Sequence, residues 1–143
     1  LPDPIGTVEG TATASDARVE IIRQYLEQYN SPLLPYTQDL VSTSDRYGLD
    51  FRLLVAIAQQ ESNLCKKAPK ESFNCWGYEI YGTKTRKFKS YPSAIEAVSQ
   101  TLSEDYIKAG LVTPEQIMKK YTPGSNGSWA RSVSYFMEEL SID

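Results

Sequence analysis

Asp50-Phe51-Arg52-Leu53-Leu54-Val55-Ala56-Ile57-Ala58-Gln59-Gln60-Glu61-Ser62-Asn63 decides how the chain is read. Leu54, Ile57, Ala58 and Glu61 recur at helical spacing, so the stretch predicts a helix from Phe51 to about Asn63, capped by Asp50. Glu61 shares the apolar face, seven positions after Leu54 and four after Ile57. It also stands at the C-terminal end, where unpaired carbonyls carry partial negative charge. Desolvation and the helix end both disfavour a carboxylate, so each raises its pKa. That suits an acid that donates a proton near neutral pH. The plain alternative is a glutamate at the rim of a core, with its head group in water.

Helical patterning continues on both sides. Ser15-Asp16 reads as an N-cap, followed by Val19, Ile22, Leu26 and Tyr29, and Asn30-Ser31-Pro32 ends that helix. Pro35 opens a second helix with Leu40, Val41, Ser44 and Tyr47, and Gly48 stops it. Pro92 starts a further helix carrying Ile95, Val98, Leu102 and Tyr106, which Gly110 ends. Thr113-Pro114-Glu115-Gln116 is a capped start, so Pro114 to Lys120 is a short helix. Trp129, Val133, Phe136, Met137 and Leu140 define the last one. The expected fold is a mainly α, single helical domain over residues 15–143, preceded by an extended arm or linker at 1–14. The arm hints at a larger secreted or anchored protein.

The composition removes several chemistries. There is no His among the 143 residues, which excludes Ser-His-Asp and Cys-His nucleophile systems and His-ligated zinc. Two cysteines cannot build an all-cysteine zinc site or an iron–sulfur cluster. No apolar run is long enough for a membrane span. What remains is carboxylates, tyrosines, amides and hydroxyls, with no metal or cofactor implied. The net charge is −3, but unevenly placed. From Cys65 to Lys89, seven bases (Lys66, Lys67, Lys70, Lys84, Arg86, Lys87, Lys89) against two acids (Glu71, Glu79) make +5. A basic stretch on an acidic protein suggests an anionic partner, or else a solvated loop. The overall acidity argues against nucleic acid.

Between Leu64 and Ser90 the helical pattern breaks. Asn74-Cys75-Trp76-Gly77-Tyr78-Glu79-Ile80-Tyr81-Gly82 is aromatic and alternating, followed by a basic turn. It reads equally as a short strand pair or as an irregular loop near 74–90. Phe73, Trp76, Tyr78 and Tyr81 cluster here, and with Ser62, Asn63 and Asn74 they supply amides and hydroxyls beside flat aromatic faces. Sugars are recognised by such sets: hydrogen bonds to hydroxyl and N-acetyl groups, and stacking on the apolar pyranose face. Core packing is the plain alternative for the aromatics. Cys65 and Cys75 are ten residues apart; the favoured reading is a disulfide in an oxidising compartment, the other two free thiols.

Ala56-Ile57-Ala58-Gln59-Gln60-Glu61-Ser62-Asn63 resembles the catalytic-glutamate helix end of lysozyme-like peptidoglycan glycosidases. Asn74-Cys75-Trp76-Gly77-Tyr78 is similar to the Asn-aromatic-Gly segment of bacterial autolysin-type endo-β-N-acetylglucosaminidases, as is Phe88-Lys89-Ser90-Tyr91-Pro92-Ser93. Tyr121-Thr122-Pro123, with Trp129 and Val133, resembles that family's late tyrosine loop and closing helix. The likeness covers about Asp50 to Leu140. The Gly-Leu-Met-Gln segment of lytic transglycosylases, the related alternative, is absent; Trp76-Gly77-Tyr78-Glu79 stands in its place. The cysteine pair belongs to neither pattern.

The resemblance implies a lysozyme-like domain with a cleft for a glycan strand. Glu61 would be the general acid and Tyr121 would lie across the cleft. Asn74, Trp76 and Tyr78 would line subsites, with Ser62, Asn63 and Tyr81 as further substrate contacts. Glycosidases commonly use a second carboxylate. Glu79 is the first choice and Glu71 the second. A single carboxylate also works if the substrate's N-acetyl oxygen or 6-hydroxyl assists, with Tyr121 stabilising the oxocarbenium-like transition state. The expected partners are peptidoglycan and an anionic wall polymer, and the expected protein is a secreted or cell-wall-associated monomer. Two other classes compete: a non-catalytic glycan-binding module using the same aromatics, and a protein-interaction module anchored by Trp76 and Trp129.

Overall fold

The structure, a computed structural model, describes residues 17–79 and 85–141. The arm at 1–14, Tyr81 and Lys84 lie outside the described residues. Helix α1 spans 17–28. A 3-10 turn at Leu34–Tyr36 leads into α2, Thr37–Arg46. Next come α3 (Leu53–Ser62), α4 (Tyr91–Thr101), α5 (Pro114–Tyr121) and α6 (Ser128–Glu139). The protein is mainly helical, and no strand occurs among the described residues. Of the two readings of 74–90, the described part is irregular. None of these helices is long and apolar enough to cross a membrane.

Helix α3 is the axis of the core. Leu53, Leu54, Val55, Ala56, Ile57 and Ala58 are all buried, so this helix is enclosed on every side rather than along one stripe. It packs most extensively against α6, whose Trp129, Ala130 and Val133 are buried. Asp50 does not cap α3 directly. Its carboxylate accepts from the Arg52 amide (3.0 Å) and pairs with the Arg52 guanidinium, so it closes the turn just before the helix.

One expected helix changes form along its length. The segment from Pro92 to Gly110 is not one α-helix. It widens to a π turn at Leu102–Tyr106 and tightens to a 3-10 turn at Ile107–Ala109 before Gly110 ends it at φ 87°. The first helical turn of α5 matches the sequence reading: the Thr113 hydroxyl accepts from the Gln116 amide while the Gln116 side chain accepts from the Thr113 amide.

Beyond α3 the chain takes an uncommon path. Asn63, Leu64 and Cys65 have φ of 52°, 55° and 71°. Three consecutive left-handed non-glycine residues cost about 1–2 kcal/mol each, so the surroundings must impose them. Several contacts do. The Leu64 amide reaches back to the Ala58 carbonyl at 3.1 Å, its side chain is fully buried, and the Ser31 hydroxyl donates to its carbonyl at 2.7 Å. The Ser62 hydroxyl accepts from the Cys65 amide at 2.9 Å and donates to the Cys75 carbonyl at 2.6 Å. A disulfide joins Cys65 to Cys75, with Cα atoms 4.5 Å apart. In the chain-entropy account, closing this ten-residue separation stabilises by about 3 kcal/mol. The double variant Cys65→Ser/Cys75→Ser is expected to lose about that much unfolding free energy in urea titration; an unchanged midpoint would show that the other contacts hold the turn unaided.

Candidate functional site

The end of α3 brings Glu61 between two hollows. One, of about 360 Å³, is lined by Gly77, Tyr78, Thr101, Tyr106 and Tyr121, with Glu79, Asp105 and Lys120 at its charged side. The other, of about 470 Å³, is lined by Gln60, Thr122, Ser125, Asn126, Ser128 and Trp129. Glu61 touches a wall of each. Its Oε1 accepts from the Trp129 indole nitrogen at 2.9 Å. Its Oε2 faces Gly77, where an added Cβ would stand 3.1 Å away. A larger hollow beside Arg18, Asp50 and Arg52 is lined by charges already paired, Asp50 with Arg52 at 2.7 Å and Arg18 with Asp45 at 2.7 Å.

The Glu61 carboxyl is partly buried. Burial pushes its pKa above the ordinary 4.5, and the Trp129 N–H, which favours the charged form, pulls back by less. Tyr121, the last residue of α5, stacks on Trp129 with centroids 5.3 Å apart and 28° between planes. Its hydroxyl donates to the Trp76 carbonyl. Burial first, and the neighbouring Glu61 carboxylate second, hold the Tyr121 phenol well above its ordinary pKa, so it stays a neutral donor.

The other expected site residues divide. Tyr78 lines the first hollow, and its hydroxyl shares a 2.8 Å hydrogen bond with Thr101. Glu79 also lies there, exposed, and paired with Arg86 at 2.8 Å. Asn63 is the left-handed residue ending α3 and lines neither hollow. Ser62, Asn74 and Trp76 are not placed to meet a ligand. Ser62 is 4% exposed, with its hydroxyl committed to the turn. Asn74 is fully buried: its amide donates to the carbonyls of Tyr78 (2.7 Å) and Arg86 (3.0 Å) and accepts from the amides of Trp76 and Tyr78. Trp76 is fully buried, and its indole donates to the Leu54 carbonyl at 2.9 Å. These three shape the loop that carries Gly77 and Tyr78. Glu71 is exposed and borders a different, smaller hollow beside Cys65 and Phe73. Among the described residues, no group of three or more Cys, Asp or Glu side chains is close enough to hold a metal ion.

Sequence reasoning missed Thr101, Asp105, Tyr106 and Lys120 as wall residues, and the bond from Trp129 to Glu61. Residues 61 and 129 are 68 positions apart, and nothing in the spacing of α6 distinguishes an indole aimed at a carboxyl from one filling a core. The chain matches no protein-family model, and no curated protein matches it. The chemistry available at the end of α3 is proton donation by a carboxyl, hydrogen bonding from phenols and amides, and aromatic contact.

The raised pKa has a consequence for stability. A carboxyl whose folded pKa exceeds its unfolded value binds more protons in the native state, so its contribution falls as pH rises through the window between the two. Below about 4.5 the acid is protonated in both states and the difference vanishes. Glu61→Gln is therefore expected to unfold at a higher urea concentration than the native chain at neutral pH, with the gap closing as pH falls toward 4.5; a gap independent of pH would refute the burial argument.

Proposed function

We propose that this chain is a peptidoglycan-cleaving glycosidase that acts on β-1,4 bonds between N-acetylated sugars, with Glu61 as the general acid. The observation that carries the reading is the Glu61 carboxyl: partly buried at the end of α3, raised in pKa by burial, and set between two open hollows. A carboxyl in that state keeps its proton to higher pH than a solvated one, so the proton is available to pass to a leaving oxygen. The sequence likeness to lysozyme-like enzymes around Glu61 and Tyr121 points the same way. Tyr78, Thr101, Asn126 and Gln60 supply hydrogen-bonding groups on either side, and Tyr106, Tyr121 and Trp129 supply aromatic walls.

Protonation of the glycosidic oxygen breaks the bond from the anomeric carbon and leaves an oxocarbenium-like centre. Water, or the sugar's own 6-hydroxyl, completes the reaction and returns a proton to Glu61. Glu79 and Asp105 both border the first hollow, so either can serve as a second carboxylate. The Cys65–Cys75 disulfide fits a protein that works outside the cytoplasm. Exposed Lys67, Lys70, Lys87 and Lys89 supply the positive charge that an anionic wall polymer would meet.

Product analysis by mass spectrometry tests the reading. Native protein is expected to release soluble muropeptides from purified peptidoglycan, and Glu61→Gln to release them at least about 10²-fold more slowly. An anhydro-muramic end would mark a lytic transglycosylase, a reducing N-acetylglucosamine a glucosaminidase, and a reducing muramic end a muramidase. No products from folded native protein across several wall types would overturn the reading and leave a non-catalytic glycan binder.

A further inference from the structure

An indole nitrogen donates and cannot accept. The Trp129 Nε1 lies 2.9 Å from Oε1 of Glu61, so Oε1 is the accepting oxygen of the carboxyl. In a protonated carboxyl the carbonyl oxygen is the better acceptor and the hydroxyl oxygen the poorer one. The acid proton therefore belongs on the other oxygen, Oε2. That oxygen faces Gly77, where a Cβ would come within 3.1 Å of Oε2 and 3.3 Å of the carboxyl carbon. Gly77 has φ 61° and lines the first hollow with Tyr78, Thr101 and Tyr106. Gly77 therefore has no side chain to stand between Oε2 and that hollow, while Trp129, itself stacked on Tyr121, meets the carboxyl at Oε1.

We propose that Trp129 is a positioning residue that holds the acid proton of Glu61 on Oε2, and that Gly77 is the opening through which the substrate's leaving oxygen reaches it. The proposal rests on the glycosidase reading of the same site and adds the atom and the direction of approach. The Oε2–H bond breaks as the proton passes to the glycosidic oxygen, and the electron pair of the anomeric C–O bond stays with that oxygen. Glu61 is left as a carboxylate, its charge met at Oε1 by the Trp129 N–H. Attack by water or the 6-hydroxyl then delivers one proton back to Oε2. The scissile oxygen must therefore sit in the first hollow, beneath Tyr78 and Thr101.

Infrared difference spectroscopy reads the proton's place without substrate. The carbonyl stretch of protonated Glu61 is assigned by its loss in Glu61→Gln. In Trp129→Phe it is expected to move to higher frequency, since the carbonyl oxygen loses its donor. The titration midpoint is expected to move to higher pH, since the lost N–H favoured the carboxylate. Replacing Trp129 by benzothienylalanine, which exchanges only the indole N–H for sulfur, gives the same readout should Trp129→Phe fold poorly. On peptidoglycan, the pH profile of product release should follow the infrared midpoint, with the maximal rate down about 10²-fold. Gly77→Ala, or Gly77→Asn, which tolerates left-handed backbone better, should lower product release about 10²-fold while leaving the carbonyl frequency as in the native chain. A folded Trp129 variant with unchanged frequency and midpoint overturns the positioning role. Native turnover in the Gly77 variants overturns the opening. An inactive native protein whose carbonyl band still responds to Trp129 supports the proton placement and sinks the glycosidase reading instead.

Discussion

Everything about the site follows from one constraint: the most deeply buried helix of the protein must end on a carboxyl. Leu53 to Ala58 leave no solvated face on α3, so whatever follows inherits a largely enclosed environment. Glu61 arrives there one residue before the helix ends, too early to swing fully into water. The surroundings answer with one donor, from Trp129, and one gap, at Gly77. A fully paired carboxylate would have its pKa lowered; a carboxyl with no partner would be a costlier burial. One hydrogen bond against substantial desolvation leaves the acid protonated over a wider range than an exposed glutamate.

The turn after α3 serves the same constraint. Asn63, Leu64 and Cys65 reverse the chain in the left-handed region, so that Ser72 to Tyr78 return along the end of the helix they have just left. Only a tight return brings Gly77 against Glu61. The buried polar groups make sense in this light. Ser62 joins the two cysteines through bonds from its hydroxyl to their backbones, Asn74 holds three backbone groups of the returning loop and the Arg86 carbonyl, and Trp76 donates into α3 itself. Their hydrogen-bonding capacity goes to shape, which in turn places Gly77 and Tyr78.

Much of the scaffold was legible from sequence because its signals are local. Gly48 and Gly110 end helical segments at φ 69° and 87°, as a residue without a Cβ does at little cost. Thr113 and Gln116 form the reciprocal cap that their spacing announces. The cysteines pair across the loop. The π turn was not legible, because Ile95, Val98, Leu102 and Tyr106 recur at spacings that suit a regular helix as well as one that widens at Leu102. The fates of Ser62, Asn74 and Trp76 were hidden for another reason. A hydroxyl, an amide and an indole beside a glutamate look the same in sequence whether they meet a ligand or the chain's own carbonyls, and only the returning loop decides.

The walls around Glu61 come from three separated parts of the chain: the loop at Gly77, the end of α5 at Tyr121 and the start of α6 at Trp129. Tyr121 links all three, since its ring lies on Trp129 and its hydroxyl donates to the Trp76 carbonyl next to Gly77. None of these contacts is local, so the carboxyl acquires its environment only when the whole helical core is assembled. Before that point Glu61 is an ordinary solvated acid with an ordinary pKa. Folding thus works against this group at neutral pH, because it must either desolvate the charge or take up a proton. A core optimised only for stability would place a glutamine or an apolar residue at the end of α3. Keeping a carboxyl there, donor on one oxygen and glycine against the other, is the kind of local conflict that folds carry at working sites, offset by the packing of the rest.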